Sequence, residues 1–371
     1  MRIAFLSVFY PYRGGIAQFN AHLCEAMGQD GEVRVFNFSR QYPDFLFPGK
    51  TQYVTEQDKA MPVESTRILD SINPFSWRRT AREILRWKPD IVVFSYWMSF
   101  FAPAFGCVAS ALRRRGVKCV TVVHNVIPHE PKFFDKPLAR WFFRKNDLLV
   151  SMCDAVTADI RSLCPDARII QRPHPVYDHF GQKQDKAAAQ AALSLKPGLR
   201  TLLFFGLIRD YKGLDLLIDA LPLLGDGYQL VIAGESYGSF EKYQAQIDAS
   251  GCAGRIHVLN RYIDDEEVPG LFSAADLCVL PYRSATQSGI TAIALHFDLP
   301  LVATPVGGLA ESIERPGIGL MTEAISAEAL ARSIKAFFET GPDTFVENIR
   351  RAKANMTWPA FAETLLAGLT R

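Results

Sequence analysis

The sequence predicts an α/β fold of two doubly wound, parallel-sheet domains, and three observations lead to this prediction. The chain has 371 residues, more than a single hydrophobic core usually organises. Short apolar runs alternate with helix-length segments in both halves, as strands and crossover helices do in parallel sheets. A passage with two prolines, residues 172–181, interrupts the alternation. We therefore expect one domain over 1–176 and a second over 177–356.

Each half contains enough strands for a sheet of its own. In the first half the patterns predict strands at 2–8, 33–38, 91–95 and 119–124, with helices at 18–27, 75–87 and 103–115. In the second half they predict strands at 201–205, 229–233, 256–259, 277–281 and 300–304, again separated by helix-length segments. Because open α/β sheets bind ligands at the carboxyl ends of their strands, the turns after these strands are the first places to look for function.

Charge and cysteine content exclude several classes of protein. Forty-one Lys and Arg against 39 Asp and Glu give a net charge of +2, which is too balanced for a protein that binds nucleic acid along its surface. The seven cysteines are scattered and form no Cys-x-x-Cys pair, so neither a disulfide framework nor a zinc site is predicted. A reducing, cytoplasmic environment fits this cysteine usage.

One uncharged stretch is long enough to cross a bilayer. It runs over 22 residues from Ile91 to Leu112. Ser95, Pro103 and Gly106 interrupt it, and Pro103 suits the first turn of a helix. We interpret the stretch as a buried strand, a loop and a helix.

Glycine-containing turns follow several predicted strands. Gly14 and Gly15 leave the first strand and enter a helix whose N-terminus would attract an anion. After strand 201–205, Gly206 is followed by Arg209 and Lys212, and two fixed cations there could neutralise a departing diphosphate without a metal. The alternatives are a flexible turn for the first and a solvated surface pair for the second.

A third turn lies between strand 277–281 and an apolar helix. Thr286 or Ser288 can cap this helix, and the N–H groups of residues 287–290 can cradle a phosphate. A further strand, 300–304, runs into a Gly-Gly turn followed by Glu311. The plainer interpretation is a capped helix with no ligand.

Several other polar residues are candidates for a functional site. His124 ends a buried strand, where a histidine either contacts substrate or packs as an ordinary core residue. His129 and Glu130 follow it and could line an acceptor site. The acidic run 264–267 is interpreted as a helix start rather than a metal site, and no Asp-x-Asp triplet occurs in the chain.

Four runs in the second half, taken in order, resemble glycosyltransferase family 4. They are Gly-Leu-Ile-Arg-Asp-Tyr-Lys-Gly at 206–213, Val-Ile-Ala-Gly at 231–234, Ala-Ala-Asp-Leu-Cys-Val-Leu-Pro-Tyr at 274–282, and residues 300–311 with their Gly-Gly-Leu-Ala-Glu ending. The Gly14-Gly15 loop, His124 and a last helix with Trp358 match as well. The resemblance implies the GT-B architecture, in which two Rossmann-like domains face each other across a cleft and the C-terminal helix, 357–371, packs back on the first domain.

The resemblance also implies roles for individual residues. The residues implied in binding donor and phosphate are Gly14, Gly15, Gly206, Arg209, Lys212, Gly234, Glu235, Tyr262, Ile263, Gln287, Ser288, Gly289, Ile290 and Glu311. Arg209 and Lys212 would hold the diphosphate, His124 would be the active-site histidine, and the stretch from Arg261 to Ile263 would border the base. His129 and Glu130 would lie on the acceptor side.

One departure from the family pattern affects the donor site. Family members usually carry two glutamates eight residues apart around the third turn, the second of which binds ribose. The matching positions here are Ala285 and Ile293, and neither is acidic. The ribose contact and the identity of the nucleotide are therefore open.

The resemblance implies a retaining glycosyltransferase that moves a sugar from a UDP- or GDP-linked donor to a glycan or lipid-linked acceptor hydroxyl, in polysaccharide or glycolipid biosynthesis. Such an enzyme would need no cofactor and no metal. The alternatives are a non-catalytic nucleotide-sugar-binding subunit and an epimerase or phosphorylase on the same fold. A Rossmann dehydrogenase is disfavoured because no Gly-x-Gly-x-x-Gly follows the first strand.

Two segments combine cations with large apolar side chains, at 77–87 and 138–145. Such segments suit the surface of an anionic membrane, which would place the enzyme on the inner face of the cell membrane. An amphipathic helix with a basic outer face is the alternative.

Overall fold

A computed structural model of the chain describes residues 1–29, 31–43, 51–54, 61–127, 132–177, 180–236, 238–285 and 288–370. The chain forms two compact units. The N-terminal unit comprises Met1–His174 and Thr357–Arg371, and the C-terminal unit comprises Pro175–Met356.

The N-terminal unit is built on a seven-stranded parallel sheet with the order β3-β2-β1-β4-β5-β6-β7. Its strands are β1 Arg2–Leu6, β2 Glu32–Arg40, β3 Ser65–Asp70, β4 Ile91–Tyr96, β5 Lys118–Val123, β6 Leu148–Ser151 and β7 Ile169–Gln171. The order reverses between β1 and β4, which is the signature of a doubly wound sheet. The predicted fold class is confirmed for this unit.

Helices cover both faces of this sheet. They are α1 Gly15–Gly28, α2 Pro74–Trp87, α3 Ala102–Arg113, α4 Asp135–Phe143, α5 Asp154–Leu163 and the last helix of the chain, α14 Trp358–Thr370. Right-handed crossovers place α1 on one face and α3 and α4 on the other. Helix α14 packs beside α1, and α2 packs beside α3, which packs beside α4.

The C-terminal unit has the same plan with six parallel strands in the order β10-β9-β8-β11-β12-β13. The strands are β8 Arg200–Phe205, β9 Tyr228–Ala233, β10 Ile256–Leu259, β11 Leu277–Leu280, β12 Leu301–Ala303 and β13 Gly319–Met321. The helices are α6 Lys186–Ala192, α7 Leu214–Leu224, α8 Glu241–Ala249, α9 Val268–Ala274, α10 Gly289–His296, α11 Leu309–Ile313, α12 Ala327–Thr340 and α13 Pro342–Lys353. Here the order reverses between β8 and β11, so their carboxyl ends mark the expected ligand position.

The uncharged stretch from residue 91 to 112 folds as expected from its interruptions. It forms β4, a short 3₁₀ turn at Ser99–Phe101 and α3, which has Pro103 in its first turn. Within the described ranges, no helix has the length and apolar character needed to cross a membrane.

The structure contains four strands that the sequence patterns missed, namely β3, β6, β7 and β13. Strands β7 and β13 have three residues each, too few for a periodic signal. Strand β6 follows the apolar residues of α4 closely, and a short apolar run beside a helix cannot be assigned by periodicity. Strand β3 mixes polar and apolar residues at the sheet edge.

Helix α14 belongs to the N-terminal unit although it follows the whole C-terminal unit in sequence. Its Trp358 and Phe361 rings pack edge-on against Phe19 of α1, at centroid distances of 5.1 and 5.7 Å. Gly368 lies so close to β6 and β7 that an added Cβ would sit 2.3 Å from Ile170 Cδ1 and 2.9 Å from Leu148 Cδ2. This glycine therefore lets the helix approach the sheet closely.

We expect Phe361→Ala to destabilise the N-terminal unit by about 3–5 kcal/mol, because the ring is 1% exposed and its removal leaves a cavity. Phe75→Ala is the control, since the Phe75 side chain is 80% exposed and its loss should change stability by less than about 0.5 kcal/mol. Urea unfolding followed by tryptophan fluorescence measures both. Equal midpoints for the two variants would contradict the packing of α14 on α1.

Candidate functional site

In the C-terminal unit, two glycine turns meet at the carboxyl ends of β8 and β9. The Gly206 N–H donates to Ala233 O at 2.9 Å, and the Gly234 N–H donates to Leu259 O at 3.1 Å. A Cβ at Gly234 would lie 2.0 Å from Gly206 O, so no larger residue fits there. Gly206 has φ +100, a conformation that favours glycine. These turns leave backbone exposed where a parallel sheet binds its ligands.

Glu235, the next residue, helps to hold this edge. Its carbonyl accepts a hydrogen bond from the Ile208 N–H at 2.8 Å, which ties the turn after β9 to the chain after β8. The sequence implied that Gly234 and Glu235 border a nucleotide, and the structure places both beside Gly206.

Lys212 lies at the centre of this edge. A Cβ on Gly206 would sit 3.1 Å from Lys212 Nζ, and the ammonium lies 5.4 Å from the centroid of the Tyr282 ring. No carboxylate pairs with Lys212 among the residues that the structure describes. Burial, with a smaller contribution from the nearby Arg209 guanidinium, lowers the pKa of Lys212 to about 8. A cation held without a counter-charge is prepared to receive an anion.

The third glycine-containing turn lies against the same place. Gly206 approaches Ile290, because an added Cβ would be 3.3 Å from Ile290 Cδ1. Ser288 is the N-cap residue of α10, but its hydroxyl makes no capping bond and instead lies 3.3 Å from the Tyr282 hydroxyl. Gly289 begins α10. Thr286 and Gln287 lie outside the described residues.

Tyr282 also belongs to the cluster around Lys212, although it was not among the residues predicted to bind the donor. It lies two residues after the end of β11, its ring faces the Lys212 ammonium, its hydroxyl lies within hydrogen-bond distance of Ser288, and it is 3% exposed. The rule that selected Arg209 and Lys212, a polar side chain after the carboxyl end of a central strand, applies equally to Tyr282.

The remaining candidates of this unit lie along the same sheet edge on neighbouring strands. Tyr262 and the buried Ile263 follow β10, which β9 separates from β8. Glu311 lies in α11 after β12, where its carboxylate pairs with Arg315 at 3.4 Å. Ile293, at a position where the family usually carries a glutamate, is buried in α10.

In the N-terminal unit, Gly14 and Gly15 form the start of α1. Gly14 is the N-cap with φ +118, a value that L side chains rarely adopt, and Gly15 is the first helical residue. A Cβ added to either glycine would meet no described atom within 4 Å. The helix N-terminus at β1 is therefore open to a small anionic group.

His124 follows β5 in the same unit. Its N–H donates to Tyr96 O at 2.8 Å, and its ring packs edge-on against Phe19 at a centroid distance of 4.7 Å. The Nε2 atom is buried and has no hydrogen-bond partner among the described residues. Burial lowers the pKa of His124 to about 3, and His174 contributes to this shift. The imidazole is therefore neutral at physiological pH.

His129 and Glu130, the acceptor-side candidates, lie outside the described residues. Among the described residues, no three His, Cys, Asp or Glu side chains group closely enough to hold a metal ion.

Comparison with known families identifies both units. Residues 13–177 match the model described as Glycosyltransferase Family 4, and residues 199–340 match the one described as Glycosyl transferases group 1. The chain belongs to the group 1 glycosyltransferases.

Curated relatives match over about half of the chain. A GDP-mannose:glycolipid 4-beta-D-mannosyltransferase of Xanthomonas campestris pv. campestris is 30% identical over 196 residues, 52% of this chain and 51% of the relative. A D-inositol 3-phosphate glycosyltransferase of Mycolicibacterium gilvum is 28% identical over 190 residues, 50% of this chain and 43% of the relative. The chain thus spans about half or less of the length of these relatives.

Solved structures match over the full chain and show the fold. Anabaena HepE in complex with UDP superposes with a TM-score of 0.76 at 17% identity and covers 100% of both chains. Sucrose-phosphate synthase from Thermosynechococcus elongatus gives a TM-score of 0.75 at 18% identity, covering 99% of this chain and 97% of that one. The two parallel-sheet units therefore form a GT-B architecture.

The uncompensated charge of Lys212 has a consequence for stability. In the folded protein the pKa of Lys212 is about 8, whereas an unfolded lysine titrates near 10.4. Below pH 8 the folded state carries the full cost of the desolvated ammonium, and this cost is relieved as the pH rises from about 8 to 10.4. We expect Lys212→Met to be more stable than the wild type at pH 7, with a smaller difference at pH 10.

Urea unfolding at both pH values measures this difference. Lys196→Met is the matched control because Lys196 is exposed in the same unit, and it should change stability little. A wild type that is more stable than Lys212→Met at pH 7 would contradict the assignment.

Proposed function

We propose that the protein is a retaining glycosyltransferase that transfers a sugar from a nucleoside-diphosphate donor to a hydroxyl of a glycan or lipid-linked acceptor. The observation that carries the proposal is the Lys212 ammonium, which lies beside Gly206, Tyr282 and the N-terminus of α10 and has no carboxylate partner in the described part of the chain. A donor diphosphate supplies the missing negative charge.

In this proposal the diphosphate is bound by cations and backbone rather than by a metal. Arg209 and Lys212 neutralise the charge that grows on the leaving phosphate as the glycosidic bond breaks. The N–H groups at the start of α10 and the positive end of its dipole add to this stabilisation. Two preorganised cations in a water-poor site act more strongly than the same charges in water.

The role proposed for His124 follows from its protonation state. With a pKa of about 3 it stays neutral, so it donates or accepts a hydrogen bond at a sugar hydroxyl and does not carry positive charge into the site. Retention of configuration follows from family resemblance, with the donor phosphate taking the acceptor proton.

The identity of the nucleotide is proposed as UDP or GDP. A mannosyltransferase named for GDP-mannose and a glycolipid is among the relatives, and HepE was solved with UDP. The same relatives support a glycan or glycolipid acceptor, as in the biosynthesis of polysaccharides or glycolipids.

A second candidate function is a non-catalytic subunit that binds a nucleotide sugar. The observation that favours it is the buried, apolar Ile293, which stands where the family usually places an acid on the ribose. Such a subunit would bind donor tightly and turn none over.

Donor turnover discriminates between the two functions. With UDP-, GDP- and ADP-sugars, we expect wild-type turnover of one nucleotide class and a loss of about 100-fold or more in kcat for Lys212→Ala. His124→Ala should also lower kcat, because its hydrogen bond to the reacting sugar is lost. Tight donor binding with no turnover by the wild type would favour the binding subunit, and unchanged turnover in Lys212→Ala would refute the phosphate assignment.

We further propose that the N-terminal unit rests on an anionic membrane surface through α4. The residues before and within this helix expose aromatic rings, with Phe133 93%, Phe134 38% and Trp141 38% exposed. Lys136, Arg140 and Arg144 repeat every four residues and so share one helix face.

This face is the wall of a cavity of about 460 Å³ whose described lining contains no acid. The lining comprises Lys136, Pro137, Arg140, Trp141, Arg144, Lys145 and Leu163. Lys145 also lies 5.9 Å from the Trp141 centroid. Exposed aromatic rings among several cations are the composition that binds lipid headgroups.

Vesicle flotation tests this surface. We expect binding to vesicles that contain anionic lipid and a strong loss when Lys136, Arg140 and Arg144 are changed to Glu, since each cation contributes about 1 kcal/mol near such a surface. The matched control changes Arg332, Arg350 and Arg351 of the C-terminal unit to Glu, with the same change in net charge. Equal flotation of the two triple variants, or none by the wild type, would rule the surface out.

A further inference from the structure

The backbone that carries Arg209 and Lys212 is held by a residue from another loop, through both its backbone and its side chain. Arg283, which follows β11, donates from its backbone N–H to Tyr211 O at 2.6 Å. Its guanidinium Nη1 donates to Asp210 O at 3.1 Å. One arginine thus binds two successive carbonyls of the segment between the two proposed phosphate-binding cations.

The same guanidinium is fixed by a carboxylate in the first turn of α7. Nη1 and Nη2 of Arg283 donate to Oδ1 and Oδ2 of Asp215 at 2.7 and 2.5 Å, a two-bond pairing that sets the plane of the guanidinium. Burial alone would raise the pKa of Asp215, but the bonds and charge of Arg283 lower it. Asp215 is therefore ionised and holds Arg283 in place.

The segment is also held by its own side chains, since the Asp210 carboxylate pairs with Lys242 and accepts from the Tyr243 hydroxyl at 3.4 Å. In the 3₁₀ turn Asp210–Lys212, Asp210 and Tyr211 are exposed and Lys212 is half-buried. On its carboxyl side Gly213 is wedged against the end of β11, where an added Cβ would be 2.0 Å from Pro281 O. On its amino side Ile208 is buried. Between these two fixed points, the contacts of Arg283 help to define where the cations point.

We propose that Arg283 and Asp215 are positioning residues, which hold the backbone of residues 209–212 so that Arg209 and Lys212 stay directed at the donor diphosphate. The expected effect on donor binding rests on the proposed function, whereas the effect of Arg283 on the backbone of residues 209–212 does not. An exposed arginine–carboxylate pair contributes little to stability. The role of this pair therefore lies in the contact of the Arg283 guanidinium with the Asp210 carbonyl, which adds to the backbone bond between Arg283 and Tyr211.

Hydrogen–deuterium exchange of the unliganded protein tests the geometry without any donor. In Arg283→Gln we expect the amides of residues 209–213 to exchange at least about tenfold faster, while those of β9 stay unchanged. Arg332→Gln is the control, because it removes an arginine paired with Glu323 in the same unit and should leave residues 209–213 as they are. Unchanged exchange at 209–213 in Arg283→Gln overturns the proposal whatever the enzyme does.

Reversal of the pair separates positioning from simple pairing. In the double variant Asp215→Arg/Arg283→Asp the ion pair can form again, but an aspartate side chain at 283 cannot donate to the Asp210 carbonyl. We therefore expect exchange at 209–213 to stay fast although the ion pair is restored. Arg283→Lys keeps the charge and one donor, and it should show an intermediate effect. A double variant restored in exchange overturns the proposal.

Donor kinetics tests the consequence. Misplacement of a binding group by about 1 Å can cost about 100-fold in rate, so we expect Arg283→Gln to lower kcat/KM for the donor by about 10- to 100-fold. UDP and GDP affinities, measured by calorimetry, should fall with it. Fast exchange with unchanged nucleotide affinity and turnover overturns the positioning role. A wild type that neither binds nor turns over nucleotide sugars refutes the proposed function, and the exchange data still decide the geometry.

Discussion

The close approach of two peptide backbones, at Gly206 and Gly234, is the constraint on which the C-terminal unit depends. A single methyl group at Gly234 would overlap the Gly206 carbonyl, so neither turn can shift without the other. Their contact fixes the carboxyl ends of β8 and β9 side by side. Gly206 in turn lies against the Lys212 ammonium and the Ile290 side chain, which brings the turns after β8 and β11 to the same place.

The position of the Lys212 ammonium lowers the stability of the folded protein. An ammonium is kept partly out of water beside a second cation, with an aromatic ring and glycine backbone as neighbours. Such an arrangement gains nothing in the empty protein, because desolvation of a charge is unfavourable unless an opposite charge compensates for it. A bound anion would compensate for this desolvation. A desolvated cation of this kind therefore indicates a functional site more strongly than a cation paired with a carboxylate does.

The sequence allowed residues far apart in the chain to be placed near one another only where a general rule of folding applied. The rule that parallel strands end at one edge directed attention to the turns after β8 and β11, and the structure brings Gly206, Lys212, Ser288 and Ile290 of these turns together. Their roles in binding remain predictions. The pairing of Arg283 with Asp215 could not be predicted in this way, because the two residues are 68 positions apart and no periodicity links them.

The length of an element also limited how well the sequence predicted it. The longer central strands β4 and β8 were recognised from their β-rich apolar runs, whereas three-residue strands such as β7 and β13 gave none. The neutral state of His124 was equally hidden, since it depends on burial beside Phe19 and His174, which only the folded chain brings near.

The membership of α14 in the N-terminal unit has a consequence for biosynthesis. A ribosome that has finished β7 has still to make residues 175–356 before it reaches the helix that covers α1. At a translation rate of about 5–20 residues per second this interval lasts roughly 10–40 s. During that time the apolar groups that Trp358 and Phe361 later cover stay bare, so the nascent chain presents a surface that a chaperone can recognise.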